Sequence, residues 1–378
     1  MHICFISAEY PVYDFAHGGV GTFIRNLGYK LVENGISVSV VRVGNVRKSE
    51  VINDNGVIVY LEPEIALPLK FISNAIIINR AIRKIHKKQP IDVIETPELG
   101  LAFIRKIKGI HYVIRMHGGH HFFAKAENRP LEPKKVWQEK RSFKKADHIL
   151  AVSKYVAETT SELLQLKQKI HVIYNPINGD RFYQSDTAKA KMHTVFFAGS
   201  LVEKKGIRQL IMALEHLVDD FPQIKLKIAG RDATIPGTNL PYRPVLEAVI
   251  SDKIRPHIEF LGVIPNFEIP KHIENAQLCC YPSHMEAMPL AWLEVMAMGK
   301  ILIGSTTGPG PEAVIDNVTG FLVDPHDPKA IADKIRQVFE NYEKALEIGN
   351  KAREYVLENF DVSVLSEKNA GFYKSIIG

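Results

Sequence analysis

The sequence predicts an α/β fold, two doubly wound Rossmann-like domains facing a central cleft, on three observations. Its 378 residues exceed what a single hydrophobic core usually serves, so two domains of similar size are expected. Short β-branched runs alternate with helical patterns from end to end, which calls for parallel sheets covered by helices on both faces. The pattern also restarts midway, after a stretch without apolar periodicity. In order, the first strand candidates are Ile3–Ser7, Ser37–Val43, Val57–Leu61, Val93–Glu95, Tyr112–Met116, His148–Val152 and His171–Tyr174, short runs of the residue types that suit a covered sheet. Residues 186–193, small and charged, read as the linker. The second set is Thr194–Ala198, Lys225–Ala229, Ile258–Leu261, Gln277–Tyr281, Ile301–Gly304 and Gly320–Val323, followed by helical stretches at 327–340, 343–358 and 363–376. The expected domains are 1–185 and 186–360, with 361–378 as a closing helix.

Apolar content of 46% and charged content of 24% are those of a globular protein. No apolar run approaches the roughly 20 residues that cross a bilayer; residues 65–78 come closest, interrupted by Pro68, Lys70 and Asn74. The start lacks a basic region and reads as a strand rather than a signal peptide, so a cytoplasmic location is expected. Three cysteines, two of them adjacent at 279 and 280, supply neither a disulfide framework nor a zinc spacing. His117, His120 and His121 crowd one loop, but no ligand pattern surrounds them and no metal is expected. Residues 1–185 hold 27 Lys+Arg against 17 Asp+Glu, and the rest 21 against 25. The basic excess gathers at 80–88 and 134–145. It is either two solvated helix faces or a surface for an anionic membrane, at its inner face, or an acidic acceptor; nucleic acid is not expected.

The chemistry concentrates between residues 278 and 312. Pro289 fits a first helical position and Gly299 a stop. Glu286 then precedes the helix, and Glu294 is the only charged residue from Pro289 to Met298, inside a helix apolar enough to be buried. A buried carboxylate requires donors. Free N–H groups of Leu290 and Ala291 would form an anion site at the helix start. Phosphates flanked by hydroxyl-seeking carboxylates describe a nucleotide sugar. The plainer alternative pairs Glu294 with a neighbouring Arg or Lys and leaves Glu286 as a helix cap.

Other strand-end loops are candidates too. Gly18-Gly19-Val20-Gly21 opens a helix and lets the backbone approach an anion. It is no dinucleotide fingerprint, because Ile24 fills the third glycine position and the second strand ends Arg42-Val43-Gly44 without an acid. His117 ends a strand, and Gly199-Ser200-Leu201-Val202-Glu203-Lys204-Lys205-Gly206 follows the first strand of the second half. Glu312 opens a helix after Gly308-Pro309-Gly310-Pro311, where it complements the helix dipole or contacts a ligand.

The pair Glu286 and Glu294, together with the order of these loops along nearly the whole chain, resembles the E-x7-E motif and loop series of retaining glycosyltransferases of family 4. The resemblance implies the GT-B architecture, with the last helix returning to the first domain. It implies that Gly18 and Gly19 face the donor phosphates, that His117 reaches the transferred sugar, and that Lys205 neutralises the diphosphate. Two departures stand out. Ser200 holds the Arg position of G-R-L-x-x-x-K-G, so either another base such as Arg231 compensates or donor affinity is reduced. Glu286-Ala287-Met288-Pro289 replaces E-G-F-P, and Ala287 would be strained at glycine-only angles.

The expected reaction moves a hexose-type sugar from a UDP- or GDP-sugar to a saccharide or lipid-linked acceptor, with retention. Glu294 would hold the ribose, Glu286 the donor sugar, and backbone groups near Val263 the base. No D-x-D occurs, so no metal-bridged diphosphate is expected and transfer should survive EDTA. The competing readings are a nucleotide-sugar epimerase on the same fold, a phosphorylase without an identifiable pyridoxal lysine, and a donor-binding subunit whose chemistry has lapsed.

Overall fold

The computed structural model describes residues 1–12, 18–64, 70–235 and 237–378, without the side chains of 70–72. Part of the apolar stretch 65–78 therefore lies outside the described residues. Two compact units divide the chain, Met1–Pro176 with Val362–Gly378, and Ile177–Asp361. The first contains β1 (His2–Ile6), β2 (Ser37–Gly44), β3 (Glu50–Asp54), β4 (Val57–Pro63), β5 (Val93–Thr96), β6 (His111–Met116), β7 (His148–Ala151) and β8 (Ile170–Val172). The second contains β9 (Lys191–Ala198), β10 (Lys225–Ala229), β11 (Ile258–Gly262), β12 (Ala276–Cys280), β13 (Ile301–Ser305) and β14 (Phe321–Val323).

Their orders are β3-β4-β2-β1-β5-β6-β7-β8 and β11-β10-β9-β12-β13-β14. All pairs are parallel except β3 on β4. With β3 set aside, each sheet begins at its third strand and reverses beside its first, so each has a switch point, between β1 and β5 and between β9 and β12. In such sheets ligands gather at the carboxyl ends of the strands flanking that point. The strands β1, β12 and β13 are buried along their whole length, as near-continuous apolar runs covered on both faces should be. Cys4, Cys279 and Cys280 are free thiols inside these strands.

The structure corrects the expectation at three places. The strand β3 was not expected; it forms a hairpin with β4 through Asn55 and Gly56, both at positive φ. The change of unit falls between Pro176 and Ile177 rather than at 185. Residues 186–193 are no free linker: the Asp186 amide and Lys189 ammonium bind Glu274, and Lys191 already begins β9. Their polarity reflects a surface strand entry. Among the described residues no helix is long and apolar enough to cross a membrane.

The helix Val362–Ile377 groups with the first unit through a buried charge cluster. Arg115, fully buried on β6, makes two hydrogen bonds to Glu95 of β5 at 2.6 and 3.2 Å, donates to Asn369 at 2.6 Å and lies against Phe23. Tyr373 donates to Glu95 at 2.8 Å. A buried ion pair contributes little net stability while whole, yet breaking it strands an uncompensated charge. Arg115→Ala is therefore expected to lower the urea-unfolding free energy of the full chain by about 3 to 5 kcal/mol. A loss below about 1 kcal/mol would mean that water reaches Glu95.

Candidate functional site

In the second unit the site grows from three strand-end loops tied together by close backbone approaches. After β9, the turn Glu203–Lys205 ends at Gly206, at φ 67°, where an added Cβ would stand 1.7 Å from the Pro282 carbonyl oxygen. No side chain fits there. This approach, with the His284 amide donating to the Lys204 carbonyl at 2.8 Å, fastens the Lys205 turn to the loop that follows β12. From below, Glu203 is held by Arg208 at 2.8 Å, by Gln209 at 3.0 Å and by the Tyr242 hydroxyl. Burial works against its charge, but these donors bring its carboxyl down to about 2.

Lys205 Nζ lies 2.5 Å from Glu286 Oε1 as a result. Ser283 donates to the same oxygen at 2.9 Å, while the hydroxyls of Ser305 and Thr307 donate to the Ser283 carbonyl at 2.6 and 3.1 Å. The loop after β13 also brings Gly308 beside the backbone of Glu286. Ser283, Ser305 and Thr307 carried no signal in the sequence reading, since short hydroxyl side chains in loops are common. Glu312 sits half-buried in the first turn of the helix Gly310–Ala313.

The helix start differs from expectation. The helix is Leu290–Ala297 with Pro289 as its cap, and Pro289 at φ −82° and ψ 85° makes a tight turn in which the Leu290 amide donates to the Met288 carbonyl at 3.0 Å. Leu290 is thus spent, and Ala291 is the amide left without a partner among the described residues. Ala287 is not at positive φ, so alanine there carries no backbone strain. Met288 is buried.

Glu294 lies one turn into this helix, half-buried, and among the described residues no group donates to its carboxylate. Burial pushes its carboxyl up to about 7 and Arg181 partly opposes this. Among the described residues Glu294 has no direct ion pair: Arg181 instead donates to the Asn266 carbonyl at 2.6 Å. Ser200 and Arg231 stand at the neighbouring ends of β9 and β10, joined by the Leu201 amide donating to the Arg231 carbonyl at 2.9 Å. Arg231 is exposed and has no ion-pair partner among the described residues. Val263, after Gly262 at the end of β11, is 72% exposed.

In the first unit His117 follows β6. Its amide donates to Glu98 at 2.6 Å and its ring meets Phe23 edge-on at 5.2 Å. Phe23 belongs to the helix Gly19–Glu33, whose cap is Gly18, so His117 and the glycine loop share one contact. Burial and the Arg115 charge lower the His117 imidazole to about 3, leaving it neutral. The sequence reading missed the two carboxylates that shape this loop. Glu98 is buried and pushed up to about 8 by burial and by Glu139. Glu139, buried on the helix Pro133–Phe143, accepts from the amides of His120 and His121 at 2.9 and 3.2 Å and from the His121 ring. A Cβ on Gly119 would collide with Glu139, which is why a glycine stands there. The His120 ring accepts from the Glu132 amide at 2.9 Å. At Gly18 the adjacent Glu9 carboxylate has an oxygen without a partner among the described residues, which suits a hydroxyl better than a second anion. Among the described residues no cluster of three or more His, Cys, Asp or Glu could hold a metal ion.

Comparison with known proteins assigns both units. Residues 17–181 match the model for Glycosyltransferase Family 4 and residues 180–355 that for Glycosyl transferases group 1. An uncharacterized glycosyltransferase of Methanocaldococcus jannaschii is 26% identical over 99% of this chain and 98% of its own length. The GDP-mannose-dependent alpha-(1-6)-phosphatidylinositol monomannoside mannosyltransferase of Mycolicibacterium smegmatis is 26% identical over 57% of this chain; the chain spans little more than half of that relative, 59%. Among solved structures, sucrose-phosphate synthase of Thermosynechococcus elongatus superposes with a TM-score of 0.85 at 22% identity, covering 99% of this chain and 98% of that one. Anabaena HepE, solved with UDP and glucose, gives 0.78 at 18% identity over 99% of this chain and 100% of its own. The homologues are glycosyltransferases, and the fold is that of the GT-B enzymes.

The Glu294 carboxyl fixes a pH dependence. Its value in the fold is raised, so its neutral form is favoured there, and the stability it contributes is present at pH 5 and lost as pH rises through about 7. Glu294→Gln is expected to match wild type at pH 5 and exceed it at pH 8 by about 1 to 3 kcal/mol in urea unfolding. Equal stabilities at both pH values would show that a donor already satisfies Glu294.

Proposed function

With glycosyltransferase domains matching residues 17–181 and 180–355 as the premise, we propose that this chain is a retaining, metal-independent glycosyltransferase of family 4. It transfers a hexose-type sugar from a UDP- or GDP-sugar to a saccharide or lipid-linked acceptor, in the synthesis of a cell-surface polysaccharide or glycolipid, in the cytoplasm or at the inner face of its membrane. The observation that carries the reading is Lys205 at 2.5 Å from Glu286, at the foot of the helix whose Glu294 carboxylate lacks a donor. Ribose hydroxyls supply Glu294 with the donors that it lacks, and the donor sugar's hydroxyls take the place of Lys205 on Glu286.

Lys205, freed in this exchange, stands against the diphosphate together with the Ala291 amide and the Arg231 guanidinium, fixed positive groups that act on the charge developing as the phosphate leaves. Neutral His117 contacts the transferred sugar, with Gly18 and Gly19 close to it. The base lies over the backbone near Val263, and Glu312 and Met288 complete the donor pocket. Among the described residues no side chain stands out as a nucleophile, and in this reading the leaving phosphate itself takes the acceptor proton on the same face. Mycolicibacterium smegmatis mannosyltransferase is GDP-mannose-dependent and HepE was solved with UDP, which supports both donor classes and selects neither.

Ser200 is the residue that favours the competing reading of a lapsed donor-binding subunit. Exposed Arg231 beside it answers that objection. Removing a charge-assisted phosphate contact costs about 1.5 to 3 kcal/mol, so Arg231→Ala should weaken nucleotide-sugar affinity by one to two orders of magnitude, and Ser200→Arg in that background should restore it. Calorimetric titration of UDP- and GDP-sugars in EDTA decides this. Binding that requires a divalent cation, or binding indifferent to Arg231, would refute the assignment.

A further inference from the structure

The first unit has a cavity of about 330 Å³ outside the residues assigned above. It opens where the sheet reverses, at the carboxyl ends of β1 and β2 and just after β5, the position at which α/β sheets bind ligands. Its walls are apolar: Ile6, Val41, Val43, Ile78, Leu99 and Phe103. At about 30 Å³ for each small group, the space holds on the order of ten methylenes. Asn74 also lines it, with a buried carbonyl oxygen that has no partner among the described residues. An unpartnered acceptor in a mainly apolar chamber, with Ser7 and Gln138 also on its lining, suits a ligand that carries a hydroxyl or amide donor beside hydrocarbon.

The rim adds charge. On the helix Pro133–Phe143, Lys134, Trp137, Gln138 and Arg141 fall at i, i+3, i+4 and i+7, one continuous stripe. Gln138 lines the cavity, and Arg141 donates to the Ala102 carbonyl at 2.8 Å, next in the chain to the lining residue Phe103, so the helix borders the cavity at Gln138 with the stripe flanking it. Trp137 is 52% exposed, 5.7 Å from Phe103, with the Arg141 guanidinium 5.4 Å from its ring. An exposed tryptophan between cations, beside an apolar chamber, fits the boundary between a hydrocarbon chain and an anionic head. We infer that this cavity binds the hydrocarbon segment of an amphiphilic acceptor bearing a phosphate, with Arg141 and Lys134 meeting the anion. This rests on the glycosyltransferase reading for the word acceptor alone; the binding chemistry stands without it.

The probe is dodecyl phosphate below its micellar concentration, titrated calorimetrically into the full chain, with glucose 1-phosphate and dodecyl maltoside as controls for charge and for hydrocarbon. Saturable one-to-one binding is expected, accompanied by a blue shift of tryptophan emission that disappears in Trp137→Phe. Ala75→Phe, which fills the cavity, and Ile78→Gln, which makes its wall polar, should each weaken binding at least tenfold while nucleotide-sugar binding is unchanged. Glucose 1-phosphate should not bind, and dodecyl maltoside should bind at least fivefold more weakly. Equal binding of both dodecyl compounds, or binding indifferent to Ala75→Phe and Ile78→Gln, overturns the inference. Failure of every nucleotide sugar to bind, with dodecyl phosphate still bound, overturns the proposed function and leaves this site in place.

Discussion

The contact between Lys205 and Glu286 is the constraint on which the second unit's site depends. Neither residue belongs to a regular element that would hold it rigid. Lys205 ends a short turn and Glu286 sits in a loop, and the two meet because Gly206 allows the Pro282 carbonyl within a distance at which any other residue would clash. Everything around the pair repeats the device: hydroxyls of Ser305 and Thr307 grip the Ser283 carbonyl, and Ser283 grips Glu286. The ion pair itself is partly exposed and adds little stability. Its importance is geometric, since it stores a cation and a carboxylate in mutual neutralisation until ligands of opposite kind separate them.

The first unit solves the same problem with buried acids instead of cations. Glu98 and Glu139 receive the backbone amides of the His117–His121 loop, so the imidazole of His117 is aimed by main-chain hydrogen bonds, with no hydrogen-bond partner on its ring among the described residues. Arg115, two residues earlier and within β6, lies against the same Phe23 ring and pairs into the cluster with Glu95, Asn369 and Tyr373. One strand thus anchors the closing helix and presents the site. The cation behind His117 and the burial around it both favour the neutral ring.

Much of this was legible in the sequence. Fully covered parallel strands are apolar along their length, and the thirteen runs read as strands all appear, with ends shifted by at most three residues. The strand that was missed, Glu50–Asp54, has no buried position and only two apolar residues, so it lacks that signal; the Asn55-Gly56 turn was the available cue. Within the site, charged residues at strand ends could be named because charge inside apolar surroundings is conspicuous. What escaped were groups that act through the main chain: Glu98 and Glu139 as amide acceptors, Ser283 as a brace, and the Leu290 amide turned onto Met288 by Pro289. The two acids meet amides 19 residues away in the chain, which no local pattern encodes, whereas Ser283 and the Pro289 turn are local contacts of residue types too common in loops to signal a role. The unit boundary was misplaced for a related reason, because surface polarity at 186–193 was taken for freedom.

The exchange of partners at Lys205 and Glu286 is the central claim, and UDP and GDP affinities of two single variants test it most directly. The nucleoside diphosphate has the phosphates but not the sugar that Glu286 is assigned to hold. Lys205→Ala should therefore weaken its binding tenfold or more. Glu286→Gln, which releases Lys205 from its competing carboxylate, should leave that binding equal or tighter while abolishing sugar transfer. Equal losses of diphosphate affinity in both variants would contradict the account, because they would mean that the pair is a structural brace and not a placeholder for substrate.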